Sequence, residues 1–244
     1  MKIKYWSLLA LLVLAGCTTR SISDTGSDQS GLYHGELSEF DVVGVARDQT
    51  VSEAQIQAAL AESQQRISLK AGSTLMLIQS GAMMPDQPMI DALGTSYTVI
   101  PFSGVPDLDP LRPYGRSNDD ATAAPKRSYS MALRLAAART GAKAVITYWG
   151  VLESSRENTL TSTVSWVPVA GWVLPDESQN MRIRLKVIVM DVATGRWEMF
   201  QPGSFDESAY SSILSRSSSD QEQIARLKDL SYKKACEQIK QRFG

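Results

Sequence analysis

Thr74-Leu75-Met76-Leu77-Ile78 is a short run whose only polar residue is the first one. A strand with one solvated face alternates apolar and polar residues, whereas a continuously apolar run is typical of a strand buried on both faces. Two more apolar runs, residues 97–102 and 144–150, follow along the chain, and helical patterns separate them. Strands that alternate with helices require crossover connections, so the sequence predicts an α/β sheet with parallel pairs in its first half.

One strand and one helix are predicted before this run. Residues 40–46 are short and mostly apolar, as a strand would be. Thr50 with Glu53 matches a capping box, and Gly72 is placed to end the helix that this box would begin. The predicted apolar face of that helix consists of Ile56, Ala59, Leu60, Ser63 and Ile67.

Three helices are predicted after the run: one from Pro85 or Asp86 to Leu93, one over residues 128–140, and one over residues 219–243. In the second, Gly141 follows the last turn, and the stripe expected to pack on the sheet contains Met131, Leu135 and Ala138. The apolar side of the last helix contains Ile224, Tyr232, Ala235, Cys236, Ile239 and Phe243.

An antiparallel hairpin is predicted near residues 182–200. An alternating strand ends in Asp191-Val192-Ala193-Thr194-Gly195, a turn sequence, before a second strand over residues 196–200. Its apolar face contains Ile183, Leu185, Val187 and Val189. The opposite face contains Arg182, Arg184 and Lys186, which would form either a solvated sheet face or a basic docking strip.

Residues 40–244 are therefore expected to form a single α/β domain, with a mixed sheet and helices packed on it. Four prolines interrupt residues 103–126, which predicts a long loop. Its acidic and amide residues could suggest Ca²⁺ binding, but Pro110 and Arg112 stand where such a loop would want a ligand and a glycine. A solvated loop is the favoured interpretation, and we expect no metal site.

The segment between the last two long strands, residues 159–175, is unusually apolar. Two tryptophans and several aliphatic residues surround a Pro-Gly turn. These residues could fold back on the core as a long hairpin, or they could form an exposed tip that contacts a partner or the membrane. The candidate contact residues are Trp166, Val167, Val169, Trp172, Val173 and Leu174.

Composition and motifs argue against several functions. The chain has 25 Lys+Arg against 26 Asp+Glu, a balance that does not favour nucleic-acid binding. His34 is the only histidine, and no nucleophile elbow, phosphate loop or paired-cysteine zinc spacing occurs. Cys236 is expected to be a buried apolar residue rather than a reactive thiol. The sequence therefore predicts no catalytic residues, no enzymatic activity and no cofactor.

The beginning of the chain has the features of a secretory signal. Lys2 and Lys4 precede a short apolar segment that ends in Leu14-Ala15-Gly16-Cys17. This tetrad resembles the bacterial lipobox, which implies that residues 1–16 are removed and that Cys17 receives a diacylglycerol and an acylated amino terminus. Several acyl chains on one residue form a stable anchor. Thr18 at the following position implies sorting to the outer membrane, on its periplasmic side.

Residues 17–39 are expected to be the lipidated cysteine and a flexible tether. The stretch after Cys17 is polar, rich in Ser, Asp and Gly, and shows no sustained periodicity. About twenty such residues would have a root-mean-square reach of about 25 Å, which would let the folded domain stand clear of the lipid headgroups.

A second resemblance covers residues 128–200. Ala136-Ala137-Ala138-Arg139-Thr140-Gly141 ends a helix before a strand, and a later strand runs into Met190-Asp191-Val192-Ala193-Thr194-Gly195. This arrangement resembles the α/β domain of curli-secretion-channel lipoproteins, of TolB amino-terminal domains, and of a lipoprotein activator of penicillin-binding proteins. The resemblance implies a fold more than a function.

Together these features predict a lipid-anchored envelope protein that binds or scaffolds a partner, with the membrane contacted through its anchor. The alternative is a self-assembling channel or secretion component. An envelope hydrolase is the third possibility.

Overall fold

Seven strands and five α-helices make up the part of the chain that the computed structural model describes, which is residues 18–24, 35–45, 50–63, 66–106, 129–158, 177–203, 205–206 and 220–244. The strands are β1 (Thr18–Ser21), β2 (Thr74–Gln79), β3 (Thr98–Phe102), β4 (Ala144–Asn158), β5 (Glu177–Asp191), β6 (Trp197–Phe200) and β7 (Phe205–Asp206). The helices are α1 (Glu39–Val43), α2 (Glu53–Glu62), α3 (Gln87–Gly94), α4 (Tyr129–Arg139) and α5 (Asp220–Phe243).

The strands form one mixed sheet in the order β3-β2-β4-β5-β6, with β1 added beside β4 and β7 beside β5. The pairs β2–β3 and β2–β4 are parallel, whereas β4–β5 and β5–β6 are antiparallel. The predicted α/β class, with parallel pairs first and an antiparallel hairpin later, is therefore confirmed.

Both faces of the sheet are covered by helices. Leu75 and Leu77 of β2 belong to the core cluster that includes α3 and α5, and Met76 and Ile78 belong to the cluster that includes α1 and α4. Because successive side chains of a strand point to opposite faces, this alternation shows that β2 is buried on both faces. The expectation from its continuous apolar run is confirmed.

Helix α5 packs as predicted. Its buried side chains include Ile224, Tyr232, Ala235, Cys236, Ile239 and Phe243. The predicted helix before residue 94 and the hairpin turn after Asp191 are also observed, and Gly195 adopts a positive φ of 76° in that turn.

Helix α4 is observed, but the prediction of its buried face is wrong. Ser130, Leu133 and Ala137 are buried, whereas Met131 and Leu135 are exposed. Both stripes have helical spacing, so periodicity alone does not distinguish them. The structure buries the stripe with smaller side chains, and Ser130 Oγ lies 3.6 Å from Met190 Sδ of β5.

Residues 40–45 do not form the predicted strand, and residue 46 lies outside the described part of the chain. Helix α1 ends at Val43, and the following Gly44 has a positive φ of 77° and donates its N–H to the carbonyl of Asp41. Only Val42 of this helix is buried, and Phe40 is exposed. A short apolar run does not by itself distinguish a strand from a helical turn, and here a single helical turn buries one of its side chains.

Helix α2 differs from its prediction in both its boundaries and its packing. The capping box is formed by Ser52 and Gln55 rather than by Thr50 and Glu53, and the helix ends at Glu62 rather than near Gly72. None of its residues is buried, and Ile56 is 44% exposed. Ile67 is buried but lies beyond the helix.

The expected tether is wrong for its described residues at the start. Thr18–Ser21 pair with β4, and Ile22–Asp24 form a 3₁₀ turn in which Ile22 and Ser23 are buried. The contacts that hold this segment are described below. They are long-range contacts, so the polar local sequence gave no sign of them.

Candidate functional site

The predicted contact residues lie outside the described part of the chain. This holds for Cys17 and for Trp166, Val167, Val169, Trp172, Val173 and Leu174. It holds also for His34 and for residues 107–126 of the predicted loop. The structure does describe the elements to which Cys17 and residues 159–176 are covalently joined.

Strands β4 and β5 form a long antiparallel ribbon that ends at residues 159–176. They pair over fifteen residues each, from Ala144 opposite Asp191 to Asn158 opposite Glu177. In the described part of the chain, the neighbouring strands reach no further than Ser154 on β4 and Arg182 on β5. Among the described residues, the last four pairs of the ribbon therefore have no third strand beside them and extend it by about 14 Å.

Strand β1 places the beginning of the domain at the same end of the sheet. It runs antiparallel to β4, with Thr18 opposite Ser154 and Ser21 opposite Val151. Moving backward along β1 toward Cys17 therefore means moving forward along β4 toward the end of the ribbon. Cys17, the predicted lipidation position, and residues 159–176 are joined to this one end.

Ile22 fixes the turn after β1 to the core. Its side chain is 1% exposed and packs against Gly150 of β4. A Cβ at residue 150 would lie 2.5 Å from Ile22 Cδ1, which is too close for any other residue without a shift. The glycine therefore permits the close approach of this segment to the sheet.

Buried hydrogen bonds join the same turn to the end of β2. Ser23 Oγ donates to the carbonyl of Ser80 at 2.6 Å and accepts from Gln79 Nε2 at 3.1 Å. Ser80 Oγ accepts from the N–H of Leu37 at 2.8 Å. Because buried polar groups are costly when unpaired, these bonds favour this one position of the segment.

Two tyrosines extend these contacts beneath α3 and α5. Tyr148 donates from its hydroxyl to Gln79 Oε1 at 2.5 Å, and Tyr232 donates to a carboxylate oxygen of Asp86. Their rings meet edge to face with centroids 5.7 Å apart. Burial, with the nearby charge of Asp86, raises the pKa of both hydroxyls well above 10. Both phenols are therefore neutral donors at physiological pH.

Lys228 completes the connection from α5. Its Nζ lies 2.9 Å from Asp86 Oδ2 and donates to the carbonyl of Ile22 at 2.9 Å. Both side chains of the ion pair are mostly buried, so water screens their attraction only partly. We call this set of residues the amino-terminal latch: Ile22, Ser23, Gln79, Ser80, Asp86, Tyr148, Gly150, Lys228 and Tyr232.

The contacts of the latch hold the turn at Ile22 and Ser23 in place rather than activate a catalytic group. Its carboxylate is bound by Lys228 and Tyr232, and its phenols are used as donors. Within the described ranges, no group of three His, Cys, Asp or Glu residues is placed to hold a metal ion. Sequence reasoning missed this cluster because its members are spread from residue 22 to residue 232. Asp86 was expected only at the beginning of one helix, and Tyr232 only on the apolar side of another.

The basic face of β5 is largely paired. Arg182 and Arg184 both contact the carboxylate of Glu153, and Lys186 contacts Glu39. Hydrogen bonding and charge from Arg182, with Arg184 nearby, hold the pKa of Glu153 below its usual value. An ion-paired sheet face describes these residues better than an open docking strip.

Cys236 is buried on α5, as predicted. Its sulfur lies 3.9 Å from Met89 Sδ, and burial raises the pKa of the thiol to about 12. A groove of about 520 Å³ runs past it between α3 and α5. The thiol is protonated at physiological pH, which is consistent with a packing role.

Comparison with protein families matches the YafT bacterial lipoprotein model over residues 38–242. The chain belongs to that family. The family indicates a bacterial, membrane-anchored lipoprotein of the cell envelope, in agreement with the lipobox at Cys17. Among the described residues, no helix is long and apolar enough to cross a membrane.

Neither a curated protein nor a solved structure matches the chain. The resemblance to curli-secretion-channel lipoproteins and TolB domains is therefore not confirmed. The family match begins at residue 38, so it does not include β1 or its turn.

Proposed function

We propose that this lipoprotein is a non-catalytic binding protein on the periplasmic side of the outer membrane, and that it holds an envelope partner close to the membrane. The observation that carries this proposal is the β4–β5 ribbon. Its last four residue pairs extend past every neighbouring strand of the described sheet. Residues 159–176 are joined to the described end of this ribbon.

The residues at the end of the ribbon have the composition of a contact surface. Residues 159–176 include Trp166 and Trp172 together with Val167, Val169, Val173 and Leu174. Tryptophan is enriched among the residues that contribute most to binding free energy and at membrane interfaces. The anchor position is joined to the same end of the sheet, which supports a contact close to the lipid surface.

Replacing Trp166 and Trp172 together by serine tests the proposal. We expect the free energy of unfolding to change little and the capture of a crosslinked partner in intact cells to be lost. Trp197→Ser is the matched control, because Trp197 is an exposed tryptophan on β6. That control should retain the partner.

Two results would count against this proposal. A loss of about 3–5 kcal/mol of stability per tryptophan would show that the segment is folded on the core. Unchanged stability with loss of large detergent-resistant oligomers, rather than of a distinct partner, would favour the self-assembling channel or secretion component.

The anchor is tested separately with Cys17→Ala. We expect this variant to lose lipid labelling and to leave the outer-membrane fraction, because the thiol is the site of attachment. Retention of the variant in that fraction would contradict lipidation at Cys17.

A further inference from the structure

We infer that the domain is held directly against the lipid headgroups by strand β1, with the Ser154 end of the sheet facing the bilayer. The partner of this surface is the phospholipid headgroup layer. The inference rests on the proposed lipidation of Cys17 and adds a fixed orientation to it. It replaces the expectation that a tether separates the domain from the membrane.

The first step is the distance between the anchor and the sheet. Adjacent Cα atoms in a chain are about 3.8 Å apart, so the Cα of Cys17 lies that close to the Cα of Thr18. Thr18 pairs with Ser154 of β4, and paired Cα atoms in antiparallel strands lie about 5 Å apart. Ser154 is therefore within roughly 10 Å of the acylated residue.

The second step is that β1 is fixed to the sheet, so that the position of Cys17 also determines the position of the sheet. Strand pairing, the buried side chain of Ile22, and the bonds of Ser23 and Lys228 all fix the same short segment. A tether would need none of these contacts. The acyl chains therefore anchor a sheet edge and not the end of a free coil.

The third step is the direction of the strands. β4 extends from Ser154 back to Ala144, ten residues or about 33 Å away from the anchored end. In the inferred orientation, the Ser154 end and the last four pairs of the ribbon face the headgroups, and the Ala144 end lies well outside them. At this end, Arg182 and Arg184 both contact the carboxylate of Glu153.

Fluorescent labels at two positions of β4 or next to it test this orientation. Val151→Cys places a label on an exposed site near the anchored end, and Lys143→Cys places one on an exposed site at the opposite end. Cys17 is blocked by its lipid, and the buried Cys236 should react little. The lipidated protein is reconstituted in phosphatidylethanolamine–phosphatidylglycerol vesicles that contain a headgroup-attached nitroxide quencher.

We expect several-fold stronger quenching at residue 151 than at residue 143. A matched variant carries a twenty-residue Gly/Ser insertion between Thr18 and Thr19, which leaves the core residues unchanged and gives the domain a reach of about 25 Å. In that variant the quenching at residue 151 should fall to the level at residue 143.

Equal quenching at the two positions without the insertion would overturn the inference, as would an insertion that changes nothing. Mass spectrometry of the same preparation separates this failure from that of the anchor. Protein without acyl chains would contradict the proposed lipidation itself, and the orientation would fall with it.

Discussion

Strand β1 with its 3₁₀ turn and helix α2 are both short segments that precede β2 in the chain. The first is fixed to the core, whereas the second is exposed. Helix α2 has a complete capping box and buries no residue. The β1 segment lacks any local signal, yet Ile22 is among the least exposed side chains of the protein. Local signals determined whether a helix forms, and long-range contacts determined which segment is fixed to the core.

The largest expected effect comes from truncating the apolar contact of each segment. Ile22→Ala should lower the free energy of unfolding by about 2–5 kcal/mol, because it leaves a cavity against Gly150. Ile56→Ala on the exposed side of α2 should change it by about 0.5 kcal/mol or less. Urea unfolding of both variants measures the difference, and equal losses would break the comparison.

Removing the charge that reaches Ile22 should have the next largest effect. Lys228→Met loses an ion pair with Asp86 and a bond to the carbonyl of Ile22, and we expect a loss of about 1.5–3 kcal/mol. Lys233→Met on the same helix is the control, since its exposed pair with Asp229 should contribute only about 0.3–0.5 kcal/mol. Similar losses in the two variants, measured by thermal unfolding, would show that the latch contributes no special stability.

The close approach at Gly150 can be tested by a double-mutant cycle. Gly150→Ala should cost about 1–3 kcal/mol, because the new methyl group overlaps Ile22. In the Ile22→Ala background the same change should cost clearly less, since the overlapping atoms are gone. Additive losses in urea unfolding would mean that the two residues do not meet.

The smallest effect is expected at Glu153, opposite Thr19 on β4. Its pKa is lowered chiefly by Arg182, so its contribution to stability is present above the ordinary value of 4.5 and is lost as the pH falls through the lower folded value. Glu153→Gln should therefore cost about 1 kcal/mol or less at pH 7, and the difference should shrink in acid. An unchanged difference at pH 3, from urea midpoints, would contradict this pairing.

The sequence predicted the burial of those elements whose own residues form a clear apolar pattern. Examples are the continuous apolar run of β2, which is buried on both faces, and the apolar side of α5, which packs on the sheet. In α4 two stripes were equally periodic, and the structure buries the one with smaller side chains, with Ser130 next to Met190. Residues 40–46 satisfied the pattern of a strand, but Gly44 ended a helix there.

The candidate site could not be predicted from sequence in the same way. Lys228 and Ile22 are more than two hundred positions apart, and neither is unusual in its own neighbourhood. Ser23 lies in a polar stretch typical of a linker, and its partners are Gln79, the last residue of β2, and Ser80, which follows it. The register of β1 on β4 and the packing of α5 bring these residues together.

Hydrogen exchange of the lipidated protein tests the central claim most directly, because it compares the two segments in one experiment. We expect the peptide over residues 18–24 to be protected, since β1 is paired and its turn is buried. The peptide over residues 53–62 should exchange quickly, because a ten-residue helix without buried side chains is marginally stable. If residues 18–24 instead exchange as fast as α2, the amino-terminal segment is a tether and the account is contradicted.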